Sequence, residues 1–234
     1  MKKYGIDVSV HNGAINWPKV AQEVDFAIIR AGYGRTTNQE DKKFLYNYNN
    51  AKNNGVPVGA YWYSYALTPT EAKKEAEAFL QVIKGKQFEY PVYFDIEETK
   101  TFATGIKNVS AICKAFCETL ENAGYFVGIY SSAPAFKSYF DNECLAMYSI
   151  WTAHWGVQQP SFPPVYGMWQ TSDNGSCNGI AGHVDTNYCY QDFPDIIKKA
   201  GLNGYQHTDA PEPDNKPITI DIGGDKYSGT VTKQ

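Results

Sequence analysis

The sequence predicts an α/β fold: a modified TIM-like β/α barrel with an irregular second half, followed by a short C-terminal β-hairpin. Strand-like apolar segments alternate with helical segments in at least five consecutive units, which is typical of a mostly parallel sheet with right-handed crossovers. The chain has 234 residues, 43% of them hydrophobic, which is enough for one sizeable core. We expect residues 1–205 to form the barrel, 206–217 a linker and 218–234 the hairpin.

The first half of the chain has the most regular alternation. Pro18 marks the first turn of one helix, Asn54-Gly55 ends the next, and Thr68-Pro-Thr-Glu71 is an N-terminal helix signature. Between these helices lie runs rich in β-branched and aromatic residues, as expected of buried strands. The predicted strands are 4–9, 24–31, 56–65 and 90–94, and the predicted helices are 17–23, 41–53 and 70–84.

The second half continues the alternation with shorter connections. The predicted helices are 107–123, 134–140 and 193–200, and the predicted strands are 126–130, 146–153, 166–171 and 183–188. The last strands are separated by too few residues for full helices, so we expect this part of the barrel to be irregular.

The C-terminal region differs from the rest of the chain. After Tyr205 a polar, proline-spaced segment predicts a linker, and the residues beyond it predict a hairpin. Such a hairpin is too short to hold a core alone. We expect it to pack on the barrel, to pack on a second copy of the chain as a homo-oligomer, or to begin a further module that this chain lacks.

Composition argues against several kinds of partner. Lys and Arg number 21 against 25 Asp and Glu, for a formal net charge of −4 without a long basic run, so no nucleic acid is expected. No run approaches the roughly 18 apolar residues of a membrane span, so no membrane insertion is expected. The N-terminal Met-Lys-Lys-Tyr enters a strand pattern at once, which predicts that there is no signal peptide.

The five cysteines predict neither a zinc site nor a disulfide framework. Their number is odd and no Cys-x-x-Cys pair is present, and no metal or cofactor is predicted for the chain. Cys113 and Cys117 lie four residues apart on a predicted helix and are interpreted as small buried hydrophobes. Cys177 and Cys189 flank a predicted hairpin, and the sequence does not decide whether they pair.

The strand at 90–94 ends abruptly in two acids, Asp95 and Glu97. Alternate residues of a strand face the same way, so these two are predicted to project together while Ile96 and Glu98 turn to the other side. The carboxyl ends of barrel strands are where such folds place their chemistry. An isolated Asp-x-Glu is equally consistent with a strand that frays into a solvated acidic loop.

Two further acids, Asp7 and Asp185, are interpreted as lying at carboxyl ends of predicted strands. In a barrel those ends converge, so the four carboxyl groups are predicted to meet on one face. Close like charges raise one another's pKa, and a glutamic acid that keeps its proton near neutral pH is what a general acid requires. Around these acids, also at or just past strand ends, are Arg30, Tyr33, Tyr61, Tyr63, Tyr130, Trp151, Trp155, Trp169 and Gln170. Aromatic and amide side chains beside paired carboxyl groups suit a sugar polymer.

These motifs, taken together and in order, resemble glycoside hydrolase family 25, the lysozymes common among phage and bacterial wall-lytic enzymes. The resemblance runs from about residue 4 to 200 and is carried by Gly5-Ile-Asp-Val-Ser9, Ile15-Asn-Trp17, Ala27-Ile-Ile-Arg30, Gly59-Ala-Tyr61, Tyr93-Phe-Asp-Ile-Glu97, Gly128-Ile-Tyr130, Trp151-Thr-Ala153, Trp169-Gln170 and Val184-Asp-Thr-Asn187. It implies a muramidase that cleaves the β-1,4 bond between N-acetylmuramic acid and N-acetylglucosamine in peptidoglycan.

The resemblance also implies roles for single residues. Glu97 is expected to protonate the leaving oxygen, with Asp95 as its partner, and Asp7 and Asp185 to complete the acidic floor. Asp95 either polarises the substrate's own 2-acetamido group as an internal nucleophile, giving retention, or activates a water, giving inversion. We favour the first, because adjacent acids on one strand suit a pair acting from one side of the sugar.

The implied partner is the peptidoglycan glycan strand, and the implied place of action is the bacterial cell wall. The enzyme would be extracellular or released from the host cytoplasm as an endolysin. Because bacterial walls are anionic, an acidic chain gains little long-range attraction to them. Targeting would then depend on stacking or on a missing wall-binding module attached through the C-terminal hairpin.

Three other functions are weighed against this one. A chitinase-type glycosidase would carry Asp-x-x-Asp-x-Asp-x-Glu, but Tyr90 and Tyr93 stand in place of its first two acids. A catalytically silent glycan-binding barrel would have no need of four acids. A metal-dependent hydrolase using His11, His154 or His183 lacks any His-x-x-His or similar ligand spacing.

Overall fold

The computed structural model describes residues 2–207, 216–222 and 225–231, the last two ranges as backbone alone. Eight strands close into a barrel in chain order. They are β1 Lys3–Val8, β2 Phe26–Tyr33, β3 Val58–Tyr63, β4 Val92–Asp95, β5 Val127–Ser132, β6 Ser149–Ala153, β7 Met168–Gly175 and β8 Val184–Cys189. The predicted α/β barrel is therefore confirmed.

The last strand breaks the parallel pattern of the barrel. Neighbouring strands from β1 to β7 run parallel, whereas β8 is antiparallel to both β7 and β1. A parallel return needs a crossover of a dozen or more residues, and the connection from β7 to β8 is too short for one. The irregularity predicted for the second half of the barrel is therefore the reversed direction of β8.

Eight α-helices lie among the described residues. They are α1 Trp17–Val20, α2 Phe44–Asn53, α3 Pro69–Ile83, α4 Thr99–Phe102, α5 Ile106–Glu121, α6 Ala133–Tyr139, α7 Asn142–Met147 and α8 Phe193–Lys199. The predicted strand 146–153 was too long, because its first residues belong to α7. Asp141 caps that helix by accepting a hydrogen bond from the Cys144 N–H at 2.8 Å. The short helices α4 and α7 were not predicted.

The two longest helices, α3 and α5, pack side by side against the outside of the barrel. The Thr68 hydroxyl caps α3 by accepting from the Glu71 N–H at 3.2 Å. Phe116 of α5 stacks on Phe94 of β4 with ring centroids 4.1 Å apart. Because Phe94 points outward to this helix layer, Asp95 next to it points into the barrel.

Inside the barrel, glycines on some strands make room for aromatic rings on the neighbouring ones. A Cβ on Gly128 of β5 would lie 2.4 Å from the Tyr93 ring, and one on Gly5 of β1 would lie 2.6 Å from Phe26. Gly59 of β3 is enclosed in the same way by Ile28 and Tyr90. Small and large residues thus alternate around the barrel. Their side chains fill the barrel interior toward the amino ends of the parallel strands, and the cleft lies at the carboxyl ends.

The remaining predictions concern the cysteines and the C-terminus. All five cysteines are free and buried, so Cys177 and Cys189 do not pair. In the C-terminal region, the strands β9 Lys216–Ile222 and β10 Asp225–Val231 form an antiparallel pair. Within the predicted linker, positions 208–215 lie outside the described residues, and Lys216 and Pro217 belong to β9. Within the predicted hairpin, positions 223–224 and 232–234 lie outside the described residues. No helix in the described part of the chain is long and apolar enough to cross a membrane.

Candidate active site

The four acids predicted from the sequence line one cleft of about 360 Å³ at the carboxyl end of the parallel strands. Asp7 is the penultimate residue of β1, Asp95 ends β4, and Glu97 follows two residues later. Asp185 does not lie at a carboxyl end, contrary to the prediction. It is the second residue of β8, and the antiparallel direction of β8 brings its beginning to the same edge of the barrel.

Asp7 and Asp185 form a carboxyl pair, because they lie directly opposite each other in the antiparallel ladder of β1 and β8. Burial raises the pKa of Asp7 well above its ordinary value, and the charge of Asp185 raises it further. Burial also raises the pKa of Asp185. The pair therefore holds a proton more readily than two separate aspartic acids do.

Two amide side chains fix the orientation of Asp7. Gln170 and Asn187 donate to its Oδ2 at 2.9 and 2.8 Å. The oxygen of Asn187 accepts from the indole N–H of Trp151 at 2.8 Å, and the oxygen of Gln170 accepts from that of Trp155 at 3.1 Å. Because an indole N–H only donates, both amides must turn their NH₂ groups toward the carboxylate.

Asp95 lies at the bottom of the cleft and is only 4% exposed. Its Oδ1 is buried and has no hydrogen-bond partner among the described residues. Burial raises its pKa well above the ordinary value, the charges of Glu97 and Asp7 raise it further, and Arg30 lowers it. Asp95 is thus an under-satisfied carboxyl group held at the barrel centre, an arrangement that functional sites tolerate.

Glu97 has a different environment, because its side chain is open to the cleft. The surrounding protein still removes enough water to raise its pKa, and the charges of Asp185 and Glu98 add to the rise, while Tyr130 opposes it. Glu98 does not turn away from the site as the strand pattern predicts. The chain has left β4 by that point, and the Glu98 carboxylate accepts a hydrogen bond at 2.8 Å from Tyr63, a cleft residue.

Most of the predicted lining residues surround the same cleft. Arg30, Tyr61, Tyr63, Tyr130, Trp151 and Gln170 line it directly. Tyr33 lies instead in an adjoining cavity, and Trp155 is outside the lining but reaches it through its bond to Gln170. Trp169 is buried, and its indole donates to the His154 carbonyl at 2.8 Å.

Several cleft residues were not predicted. Asn187, the buried partner of Asp7, is two residues beyond Asp185 on β8, so the alternation of strand residues was a signal for it. Ser9, His11, Asn12 and His183 line the rim. Ser9 is two residues beyond Asp7, so strand alternation was a signal for it too, whereas His11 and His183 were considered only for a metal-dependent hydrolase. In the described part of the chain, no group of three or more His, Cys, Asp or Glu side chains is placed to hold a metal ion.

A second cavity of about 510 Å³ continues the cleft past β2 and β3, since both are lined by His11, Arg30 and Tyr63. Its walls include Tyr33 and Tyr65, whose rings meet edge to face with centroids 6.3 Å apart. Both rings are exposed, at 38% and 46%. Together the two cavities form one groove with an acidic centre and an aromatic arm.

A barrel that gathers four carboxyl groups at the open end of its strands, within a groove lined by tyrosines and amides, has the architecture of a glycoside hydrolase. The chain belongs to glycosyl hydrolases family 25. The model of that family matches residues 6–180.

Individual relatives agree with this assignment. The chain is 32% identical over 182 residues to an autolytic lysozyme of Clostridium acetobutylicum, covering 77% of this chain and 54% of that protein. It is 33% identical over 205 residues to lysozyme M1 of Streptomyces globisporus, covering 78% and 66%. The chain therefore spans about half to two-thirds of the length of these relatives.

Solved structures show the same fold. The CTP1L endolysin superposes with a TM-score of 0.75 at 29% identity, covering 84% of this chain and 69% of that one. The bacterial lysozyme from Streptomyces coelicolor superposes with a TM-score of 0.70 at 28% identity, covering 85% and 96%.

Proposed function

We propose that the protein is a lysozyme that hydrolyses the β-1,4 bond between N-acetylmuramic acid and N-acetylglucosamine in peptidoglycan. The observation that carries this proposal is the pair formed by a buried carboxyl, Asp95, and a solvent-open one, Glu97, in a single acidic cleft. A glycosidase needs two carboxyl groups with different tasks, and different environments supply the difference. Family membership and the similarity to lysozymes support the same substrate.

Glu97 is the proposed general acid. Its side chain is open to the cleft and therefore able to reach a glycosidic oxygen. Its raised pKa favours the protonated form at a higher pH than is usual for glutamic acid. A sugar bound over Glu97 removes further water from the carboxyl and raises its pKa again.

Asp95 is proposed to assist from the floor of the cleft. A carboxyl that is 4% exposed meets a bound sugar's substituent more readily than bulk water, which favours the route through the substrate's own 2-acetamido group. Asp95 and Glu97 are neighbouring acids, and the charge of Glu97 raises the pKa of Asp95. The two groups therefore titrate together, and the midpoint of the acidic limb of the pH profile is a property of the pair. Proton NMR of the anomeric centre in the first minutes of turnover tests this route, because it predicts retention.

Asp7 and Asp185 are proposed to form the acidic floor that stabilises positive charge on the sugar in the transition state. Asp7 is held by two amides and so keeps its orientation as the reaction proceeds. Of the other predicted substrate-binding residues, we propose that Arg30, Tyr61, Tyr63, Tyr130, Trp151 and Gln170 shape the cleft, and that Tyr33 and Trp155 contact the glycan outside it.

The aromatic arm of the groove is proposed to bind sugars beyond the cleavage site. Replacing Tyr65 with alanine is expected to raise KM roughly fivefold with little change in kcat, because an aromatic contact contributes about 1 kcal/mol. Steady-state kinetics on soluble glycan strands measure the change. Leu67→Ala is the matched control, since Leu67 is 40% exposed on the same loop but is not among the residues of the groove. An equal rise in KM for both variants would contradict the proposed contact.

Product analysis tests the function as a whole. Mass spectrometry of borohydride-reduced muropeptides, after digestion of purified peptidoglycan, is expected to find N-acetylmuramic acid at the new reducing ends. Reducing N-acetylglucosamine would indicate the other β-1,4 bond and contradict the proposal. Binding of peptidoglycan without any released product would favour a catalytically silent glycan-binding barrel.

The organisation of the chain is part of the proposal. Residues 1–205 are proposed as the catalytic unit and 206–217 as a linker, and the cell wall as the place of action, in keeping with the autolytic lysozyme and endolysin among the similar proteins. The hairpin at 218–234 is proposed to bring the barrel to a second copy or to a wall-binding module. Light scattering after size-exclusion chromatography distinguishes these two roles, because only the first gives a dimer.

A further inference from the structure

Asp41 lies outside the acid cluster, and its side chain is fully buried where the loop after β2 leads into α2. Its Oδ2 accepts a hydrogen bond from Arg30 Nε at 2.7 Å and another from the Val10 N–H at 3.0 Å. Its Oδ1 accepts from the Lys43 N–H at 2.8 Å. One carboxylate therefore joins β2, the turn after β1 and the chain just before α2.

The two groups that share Oδ2 both lead into the catalytic cleft. Val10 begins the 3₁₀ turn Val10–Asn12, which supplies His11 and Asn12 to the rim. Arg30 is the one arginine or lysine among the residues that line the cleft. Its side chain is 15% exposed, and no hydrogen bond joins its Nη groups to a described residue.

The charge of Arg30 acts on Asp95. Arg30 is the one group that lowers the pKa of Asp95, against burial and the charges of Glu97 and Asp7. Other titratable groups also line this cleft. They are Asp185 from β8, Tyr61, Tyr63 and Tyr130 from β3 and β5, and His11 and His183 at the rim. A cation on a long side chain has this effect only while it is held in place.

We propose that Asp41 is a positioning residue that anchors Arg30 by its Nε and thereby directs both Nη groups into the cleft. There they face the bottom of the groove and are available to an acyl or lactyl oxygen of a bound sugar; this part of the inference rests on the proposed function. An asparagine side chain, as in Asp41→Asn, is not equivalent to the carboxylate. Its NH₂ group would meet one of the three donors that now share the carboxylate.

The test is a double-mutant cycle read from the pH dependence of kcat/KM on soluble glycan strands. Arg30→Gln is expected to move the midpoint of the acidic limb to higher pH, since the cation that lowers the pKa of Asp95 is gone. Asp41→Asn is expected to move it in the same direction, because an unanchored Arg30 no longer holds its charge at the cleft floor. In the Arg30→Gln background, Asp41→Asn is expected to produce no further movement.

Two results would overturn the inference. One is an acidic limb that Asp41→Asn leaves in place, and the other is a movement of equal size with and without Arg30. A purely structural role for Asp41 lowers activity without moving the limb, so the midpoint separates the two roles. Circular dichroism and unfolding midpoints of each variant establish that the compared proteins are folded.

Arg30→Lys provides a second test if Asp41→Asn does not fold. Lysine keeps the positive charge but has a single nitrogen, which Asp41 would hold, so nothing reaches the cleft floor. We expect the acidic limb to move upward as in Arg30→Gln, and an unmoved limb would contradict the inference. If the wild-type protein itself releases no muropeptides, the proposed function fails. If the wild type is active but the acidic limb of the variants does not move, only the role of Asp41 is refuted.

Discussion

Replacing Glu97 with glutamine is expected to lower kcat by a factor of about 10² to 10⁴, the usual contribution of a general acid. Glutamine has the same shape but no acidic proton to give to the leaving oxygen. The fold is expected to stay intact, because the Glu97 side chain is open to solvent. Release of reducing ends from purified peptidoglycan measures the loss, and circular dichroism checks the fold.

Glu98→Gln is the matched control for this prediction. Glu98 is the next residue, and its carboxylate accepts a hydrogen bond from Tyr63 that a glutamine oxygen also accepts. We expect this variant to keep activity within a fewfold of the wild type. Two results would contradict the assignment of Glu97 as the general acid. One is a Glu97→Gln enzyme that clears cell walls at the normal rate, and the other is an equal loss of activity in Glu97→Gln and Glu98→Gln.

Replacing Asp95 with asparagine is expected to have two opposite effects. Activity falls by about 10² to 10³, because the assisting charge at the floor of the cleft is lost. The free energy of unfolding at neutral pH rises, because the variant no longer holds a carboxyl in a buried place that disfavours its charged form. Turnover assays and urea unfolding on the same preparation measure both effects.

The sign of the stability effect follows from the direction of the pKa shift. The pKa of Asp95 is raised in the folded protein, so between the unfolded value of about 3.9 and the folded one the native state binds more protons than the unfolded state. The contribution of Asp95 to stability is therefore full below about pH 3.9 and is lost as the pH rises through the folded pKa. The advantage of Asp95→Asn should shrink at acidic pH, and an advantage that is constant with pH would contradict this account.

Local patterns in the sequence led to the fold and to the acid cluster. The alternation of strands and helices indicated the barrel, and the carboxyl ends of parallel strands gave Asp7 and Asp95 a common edge. Asp185 was assigned to the cluster for the wrong reason, because strand direction depends on the connection between β7 and β8. Glu98 was misplaced because strand alternation stops at Asp95, where β4 ends.

The sequence by itself determined the class of fold and the place of Asp7 and Asp95 at the open end of the barrel, since both follow from residues within a few positions of one another. Only the tertiary structure decided how those groups are held. Asn187 and Gln170 reach Asp7 across 180 and 163 positions of the chain, and the burial of Asp95 depends on closure of the whole barrel. No local periodicity in the sequence marks a hydrogen bond between distant segments or the desolvation of a side chain by them. Both arise only when the strands have closed into the barrel.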